Sequence, residues 1–321
     1  FEMKKWITVI FFLVIHSGTL LSQGLNETPF VSLSAENDLF SFPGGATDRY
    51  YTNGVRIDYF FSKEGRKFPS SLLIKISEDK NVFSWGLAQY MFTPSQINVE
   101  TVQYNDRPYA GALFAIHSLN SYDYSKKIKL TSEFYLGVMG PLSLAEETQI
   151  EVHRLFNYTG PEGWKNQVPN DIVINYNLRL EKEVVYVPQK LFITGIVETF
   201  SGTLYTSMGA GFSLKLGKVN NFFEEKTGKN KSQLYVILKP SVRAIYYNAL
   251  LQGGVITNAK KSNEGYFLNK DQVEKINVFT EAGIVYARPK LTFMLLQKMR
   301  TAQFKGGNAV EYGNISIAFN F

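Results

Sequence analysis

The chain has 321 residues, no cysteine, 15% aromatic residues and a formal net charge of +6. Without cysteine it forms neither a disulfide nor a Cys-ligated metal site. Its mean hydropathy of −0.12 argues against a polytopic helical membrane protein. No lysine- and arginine-rich run is interleaved with aromatic residues, so we expect no nucleic-acid partner.

The N-terminus has the pattern of an export signal. Two lysines precede an apolar run from Trp6 to Ile15, and small or polar residues then lead to a cleavage point near Ser22–Gln23. A transmembrane anchor is the alternative, but the run is shorter than the roughly 20 residues that a spanning helix needs. We therefore predict a signal peptide over residues 1–22, including two residues upstream of the first methionine, and one mature domain over 23–321.

The mature chain is a series of segments in which apolar and polar residues alternate with the period of a strand. The clearest is the last, where isoleucines and phenylalanines from 315 to 321 alternate with Asn, Ser and Ala from 314 to 320. Alternation predicts about twelve strands, which we place over residues 30–38, 53–61, 82–91, 109–120, 127–139, 171–185, 190–200, 203–216, 233–247, 273–286, 290–300 and 310–321.

The polar face of these segments separates a membrane barrel from a secreted soluble β protein. It carries charged side chains in the middle of long segments, among them Arg56, Glu133 and Arg179. A transmembrane barrel places such residues in a polar interior and the apolar set against lipid. We therefore predict an all-β fold, an antiparallel barrel of about twelve strands in the bacterial outer membrane, inserted by the outer-membrane assembly machinery.

Strand parity predicts where the polar connections meet. If the first strand runs outward, the connections after the first, third and fifth strands lie on the cell-exterior side. They contain Glu36-Asn37-Asp38 with Tyr51-Thr52-Asn53-Gly54, then Asp106-Arg107-Pro108, then the long stretch from Gly140 to Asn170. Each motif also has a purely structural interpretation. Glu36-Asn37-Asp38 can be a solvated strand end, Tyr51-Thr52-Asn53-Gly54 a strand start after a turn, and Asp106-Arg107-Pro108 a fixed turn with a salt bridge. On the opposite side, the connection 62–81 is long for a turn and has no assigned role.

The third of these connections contains a helix signal. Ser143-Leu144-Ala145-Glu146 is a capping box, and Gly160-Pro161 is expected to end the helix. Gln149 and His153 are four residues apart and share a face with Glu146. A lone histidine on a helix is either structural or catalytic, and the polar motifs predicted on the same side favour catalysis here.

Several chemistries have no anchor in the sequence. There is no G-x-S-x-G elbow and no H-E-x-x-H, and only His117 and His153 follow the signal peptide. His117 lies inside a strand and is predicted to be a lumen or wall residue. The Asn, Asp and Thr oxygens of the connections suit a hard cation such as Ca²⁺.

At these residues the chain resembles the lipid A 3′-O-deacylase family (LpxR-like) of outer-membrane enzymes. The resemblance spans nearly the whole mature chain and rests on the ordered motifs above, extended by Tyr109-Ala110-Gly111, Gly163-Trp164 and Gln167. It implies a twelve-stranded barrel and Ca²⁺-dependent hydrolysis of an ester-linked acyl chain of lipid A. Lipid A or lipopolysaccharide and the surrounding outer-membrane lipid are then the partners.

The resemblance also assigns site residues. It implies that His153 is the general base and that the other catalytic residues are Asn37, Asp38 and Thr52. Ca²⁺ is expected near Asp38 and Asn37. Our own candidates for orienting His153 are Gln149, Glu146 and Glu162.

Two departures from the family pattern concern the loops. The stretch 95–102 lacks basic residues, and Thr159 stands where an acidic residue is expected, with Glu162 as a substitute. Arg107 is a candidate for a lipid A phosphate, although pairing with Asp106 is the favoured interpretation. Another Ca²⁺-dependent outer-membrane esterase or phospholipase, and a non-enzymatic pore, binding or structural barrel, remain as alternatives.

Overall fold

The computed structural model describes residues 29–41, 49–62, 68–224, 232–257 and 265–320. Within these ranges twelve antiparallel strands close into a single barrel, in which each strand pairs with its sequence neighbours and β1 pairs with β12. The strands are β1 Phe30–Asn37, β2 Asn53–Ser62, β3 Lys80–Phe92, β4 Ala110–Asp123, β5 Ile128–Met139, β6 Asp171–Val187, β7 Leu191–Gly202, β8 Tyr205–Lys218, β9 Gln233–Asn248, β10 Ile276–Arg288, β11 Leu291–Arg300 and β12 Val310–Asn320.

The predicted fold class is therefore confirmed, and every predicted strand overlaps an observed one. The predicted signal peptide and Phe321 lie outside the described residues. Two α-helices occur in the described ranges, α1 Ala145–Phe156 and α2 Ala249–Gln252. Neither is long and apolar enough to cross a membrane.

Period-two alternation decides which face of the wall each side chain occupies. Ile57, Trp85 and Val236 point outward and are 41%, 46% and 52% exposed. Arg56 and Asp58, which flank Ile57, are buried on the inner face and pair with each other. The wall is thus apolar outside and charged inside, as a membrane barrel requires.

The lumen is filled with side chains. In its middle, buried carboxylates pair with cations on other strands, namely Glu133 with Arg56, Glu198 with Arg179 and Arg243, Glu281 with Lys239, and Glu36 with Lys298. An apolar cluster closes each end. One is built around Phe92, Phe114, Leu204, Leu251 and Phe304, and the other around Phe30, Phe60, Phe192, Phe223 and Tyr235. This packing does not favour a wide aqueous pore.

The connections after β1, β3 and β5 share one rim, which we call the upper rim. All four residues of α2, which begins the connection after β9, are buried at this rim. The lower rim carries the connections after even-numbered strands. The connection that carries the Asn37-Asp38 motif begins at the upper rim, where β1 ends.

Residues 68–79, in the long connection between β2 and β3, lie on the outer face of the barrel. The Ser70 hydroxyl bonds the Nε2 of His117 at 3.1 Å, and the backbone N–H of Ile74 donates to the Ser132 hydroxyl at 3.1 Å. Leu73 packs with the buried side chains of Phe83 and Leu119. The segment therefore covers polar groups on the outer wall of β4 and β5, and His117 is a wall residue, as predicted.

Candidate active site on the outer face

A row of four residues crosses the outer face just below the upper rim. Asn37 pairs with Asn53, Asn53 with Met91, and Met91 with Gly111. Directly opposed residues of an antiparallel sheet point to the same face. Asn53 has the parity of Ile57, and Met91 has the parity of Trp85, both of which face outward. The first residue of the Asn37-Asp38 motif therefore faces away from the lumen.

Two glycines allow loop segments to pack closely against the wall on either side of this row. A Cβ on Gly111 would overlap Ser143 and Ala145, at the start of α1. A Cβ on Gly313, which is paired with Asn37 in β12, would overlap Phe40 of the 3₁₀ turn Asp38–Phe40. Only glycine allows such close approach. Helix α1 and the 3₁₀ turn thus lie on two sides of the outer wall of β1 to β3, and we call the face between them the cleft.

Helix α1 begins and ends differently from the prediction. Its N-cap is Leu144, at φ 58°, and no side chain caps it, so the predicted capping box is wrong. Ser143 instead belongs to a separate 3₁₀ turn whose carbonyl accepts a hydrogen bond from Gln89 at 2.7 Å. The helix ends at Asn157, at φ 55°, before Gly160-Pro161 is reached. Docking against the wall, rather than local capping, fixes where the helix starts.

Three residues of α1 are buried: Ala145, Gln149 and His153. They are spaced four apart and therefore form one face of the helix. Glu146 lies beside this face and is half-buried, with Gln167 donating to its carboxylate at 3.4 Å. Burial, with Glu147 nearby, raises the pKa of Glu146. The described contacts of Glu146 are with Gln167 rather than with His153.

The hydrogen bonds of His153 define its tautomer. The Nδ1 of its ring contacts the carbonyl oxygen of Thr159, which can only accept, so Nδ1 carries the proton. The neutral ring therefore has its lone pair on Nε2. The amide nitrogen of Gln149 lies 3.5 Å from this Nε2, and the Gln149 oxygen accepts from the Trp164 indole at 2.7 Å. Trp164 thus orients Gln149, and Gln149 faces the basic nitrogen.

The structure shows which groups Thr159 and Glu162 contact. Thr159, which departs from the family pattern, contributes its backbone oxygen, and a backbone oxygen is independent of the side chain. Glu162 is exposed, and its backbone N–H donates to the carbonyl of Ile97 at 2.8 Å. The structure therefore places Gln149 at His153, whereas the described contacts of Glu162 are made elsewhere.

Helix α1 packs on the strands β4 and β3 of the outer wall. Ala145 sits over Gly111 of β4, and Trp164, bonded to Gln149, packs on Met91 of β3. From Ala145 to His153 a helix advances about 12 Å at about 1.5 Å per residue. The helix therefore lies over β4 and β3, on the same outer face as the row of residues that begins at Asn37.

Asn37, Asp38 and Thr52 form a connected group at the top of β1 and β2. The Asn37 amide donates to the carbonyl of Thr52 at 2.8 Å, and its oxygen accepts from the N–H of Leu39 at 2.7 Å. The Thr52 and Thr93 hydroxyls are 2.7 Å apart. Asp38 and Thr52 are buried. Asn37 therefore fixes the turn that presents the Asp38 carboxylate.

The donors of this group are hard oxygen atoms, which suit Ca²⁺. They are the carboxylate of Asp38, the amide oxygen of Asn37 and neighbouring backbone carbonyls. Among the described residues, no three acidic or histidine side chains converge on one point. A Ca²⁺ site here would therefore rest on a single carboxylate and draw its other ligands from carbonyls, water or substrate.

Arg107 does not make the predicted salt bridge with Asp106. The Asp106 carboxylate accepts from the backbone N–H of Arg107 and from Ser95, at 2.7 and 2.8 Å. The guanidinium of Arg107 turns inward and donates to Gln303 at 3.3 Å. Its side chain is 1% exposed, which removes it from any lipid on the outer face.

A family model described as "Outer membrane protein LpxR" matches residues 7–321. The solved structure of LpxR from Salmonella typhimurium is similar with a TM-score of 0.73 and 19% sequence identity, covering 91% of this chain and 100% of that one. A search of curated proteins found no match. At this identity the structural likeness concerns the fold.

Proposed function

Because the chain belongs to the LpxR family of outer-membrane proteins, we propose that it is a Ca²⁺-dependent lipid A deacylase. It hydrolyses an ester-linked, 3′-O acyl or acyloxyacyl chain of lipid A in the outer leaflet. The observation that carries this proposal is the oriented imidazole of His153 on the outer face of the wall, with its basic Nε2 turned to Gln149.

The surroundings of the cleft suit a lipid substrate. Large apolar side chains are exposed on both of its borders: Leu39 and Phe40 on the 3₁₀ turn, and Leu144, Ile150, Leu155 and Phe156 at α1. Exposed apolar patches of this kind mark membrane or ligand contacts. A cavity among the described residues lies on the lumen side of the wall, away from this face. A substrate therefore reaches His153 from the membrane rather than through the barrel.

The chemistry proposed for His153 is general-base catalysis. Its Nε2 accepts a proton from water while the water oxygen attacks the ester carbonyl carbon. The C–O ester bond then breaks, and the imidazolium returns its proton to the sugar oxygen that leaves. The ring keeps its orientation throughout the reaction because its Nδ1–H donates a hydrogen bond to the carbonyl oxygen of Thr159. No covalent acyl-enzyme is required, which agrees with the lack of a serine elbow in the sequence.

Asp38 and Asn37 would hold the Ca²⁺, with Asn37 also fixing the turn on which Asp38 lies. When bound, the ion supplies positive charge where the ester oxygen becomes negative. Thr52 positions this group through its carbonyl, which receives the Asn37 amide. The low number of charged ligands predicts weak, extracellular-type Ca²⁺ affinity.

The test is mass spectrometry of lipid A from a host that has no deacylase of its own and expresses the chain. The wild type is expected to remove one acyl or acyloxyacyl unit, and His153→Ala to leave lipid A intact. Arg154→Ala is the matched control, because Arg154 is the next residue of the helix and is exposed. Heat-modifiable migration on gels verifies that each barrel has folded.

Unchanged lipid A with folded wild type and added Ca²⁺ would contradict the proposal. Fatty acid released from glycerophospholipid under the same conditions would instead assign the site to a phospholipase. No hydrolysis of either lipid would leave a structural or binding barrel.

A further inference from the structure

Six cationic side chains and four carboxylates line a cavity of about 310 Å³ in the lumen. Each carboxylate is paired with a cation, as described above. With Asp58, which also pairs with Arg56, five carboxylates balance five of the cations: Arg56, Arg179, Lys239, Arg243 and Lys298. The sixth, Arg300, has no carboxylate partner among the residues that the structure describes. It lies at the upper end of β11, and its side chain lines the cavity.

Arg300 is 5% exposed, and its Nε and Nη2 atoms have no hydrogen-bond partner among the described residues. Its guanidinium rests over the rings of Tyr51, Phe92 and Tyr312, at 5.1 to 5.8 Å from their centres. Stacking on aromatic faces stabilises a guanidinium. It does not supply the negative charge that a buried cation requires.

Arg107 adds a second cation to the same place. Its guanidinium lies 4.3 Å from the centre of the Phe92 ring, which Arg300 also contacts. Its Nε and Nη2 likewise have no partner in the described ranges, and its one side-chain hydrogen bond there is to Gln303, a neutral group that also lines the cavity. Burial and the charge of Arg300 lower the pKa of Arg107.

Deprotonation does not relieve this arrangement, because guanidinium stays charged in proteins. Two adjacent buried cations with no carboxylate partner in the described part of the chain form a site that favours a bound anion. Arginine forks match the oxygens of phosphate in particular. The cavity volume equals that of about ten water molecules in the liquid, so a phosphate group fits with water around it.

We propose that Arg300 and Arg107 form an anion site at the upper end of the lumen, selective for a phosphate oxyanion. The site lies on the inner face of the wall, whereas the deacylase cleft lies on the outer face. It is therefore independent of the proposed catalysis. The oxyanion comes either from free phosphate or from a phosphorylated sugar head group that enters at the upper rim.

Titration calorimetry on the full chain in detergent, at constant ionic strength, tests the site. The two probes are inorganic phosphate and glucosamine 1-phosphate. Wild type is expected to bind at a ratio of one to one, and Arg300→Gln to bind at least tenfold more weakly. Arg288→Gln is the matched control, since Arg288 is exposed at the lower end of β10. It should bind like the wild type.

Arg300→Lys retains the charge and loses the fork, so a folded protein with several-fold weaker binding is expected. This variant keeps the test decisive if Arg300→Gln does not fold. Binding of inorganic phosphate identifies free phosphate as sufficient, and binding of the sugar phosphate alone identifies the head group. Wild type that binds neither probe, or Arg300 variants that bind like wild type, would overturn the proposal.

Discussion

Glu36 and Asn37 are neighbours in sequence but serve opposite faces of the wall. Glu36 points into the lumen, where it pairs with Lys298 at 2.5 Å. Asn37 points outward and holds the turn that carries Asp38. The inner face carries many ion pairs between strands. The outer face at the upper rim has few charges, two glycines against which loop segments pack, and exposed apolar side chains around them. One residue step therefore separates the groups that stabilise the barrel from those proposed to act on lipid.

The comparison teaches that charge alone does not locate a site in a barrel. Most buried charges of this protein face the lumen and are paired, which is the usual condition of a filled barrel. The residues proposed for the site are instead uncharged amides, one carboxylate and one imidazole, and polar groups near lipid are energetically unfavourable unless they have a function. Four substitutions separate the two faces experimentally.

The largest effect is expected on the inner face. Glu198→Gln removes the partner of both Arg179 and Arg243, which bond it at 3.0 and 2.5 Å. Breaking a buried pair leaves uncompensated charge and costs about 3–5 kcal/mol of stability. Urea unfolding in detergent measures this loss, while lipid A hydrolysis by the folded fraction should stay at the wild-type rate.

The matched control is Glu78→Gln, because the Lys75–Glu78 pair has a Glu78 side chain that is 87% exposed. Exposed pairs contribute little, so its unfolding midpoint should not move. A folded Glu198→Gln barrel with slow hydrolysis would show that the lumen network takes part in function.

On the outer face, Asp38→Asn is expected to lower the hydrolysis rate about 100-fold or more, since it removes the charged ligand proposed for Ca²⁺. For wild type, half-maximal activity is expected at roughly 10⁻⁴ to 10⁻³ M Ca²⁺. A Ca²⁺ titration of hydrolysis measures both quantities. Exposed Asp271→Asn should follow the wild-type curve, and a Ca²⁺ curve unaltered by Asp38→Asn would remove Asp38 from the metal site.

Gly111→Val tests whether the position of α1 on the wall affects the hydrolysis rate when the barrel is still folded. A side chain there meets Ser143 and Ala145, so the helix must shift and His153 with it. Misplacement of a catalytic group by about 1 Å can cost up to about 100-fold in rate, and we expect at least a tenfold loss with a folded barrel. At Gly195 a Cβ would meet only Val184, at 3.7 Å, so Gly195→Val is the control and should keep its activity.

The sequence was informative where one periodicity dominates. Strand positions followed from alternation because a one-residue slip would expose every charged side chain of the inner face. The wall position of His117 followed for the same reason. These features depend on residues spaced two apart, which a single sequence displays directly.

The errors concern contacts between distant segments. The capping box at Ser143 failed because Gly111 and Gln89, more than 30 positions earlier, determine where α1 docks. Pairing of Arg107 with Asp106 failed because Ser95 and the backbone occupy that carboxylate. The role of the Thr159 carbonyl was not predictable, since a backbone oxygen leaves no signal in residue type. Gly313 did have a signal, an isolated glycine inside a strand pattern.

The smallest effect is expected at Gln149, which positions His153 and does not touch the ester. Its amide faces the Nε2 lone pair at 3.5 Å, the outer limit of a hydrogen bond. A donor at this position favours the neutral, basic ring over the protonated one. In Gln149→Leu that preference is lost, so the acid limb of the pH–rate profile moves to higher pH, by less than about one unit.

A purely structural role of Gln149 predicts a different result. Gln149→Leu also leaves the buried Trp164 indole without an acceptor, which lowers stability by about 1–3 kcal/mol. Trp164→Phe removes the indole donor while the amide of Gln149 remains beside His153. If only packing mattered, both variants would lose stability with an unchanged pH–rate profile. If the amide positions and tunes the base, the acid limb moves in Gln149→Leu and much less in Trp164→Phe, because only the first variant changes what the Nε2 lone pair meets.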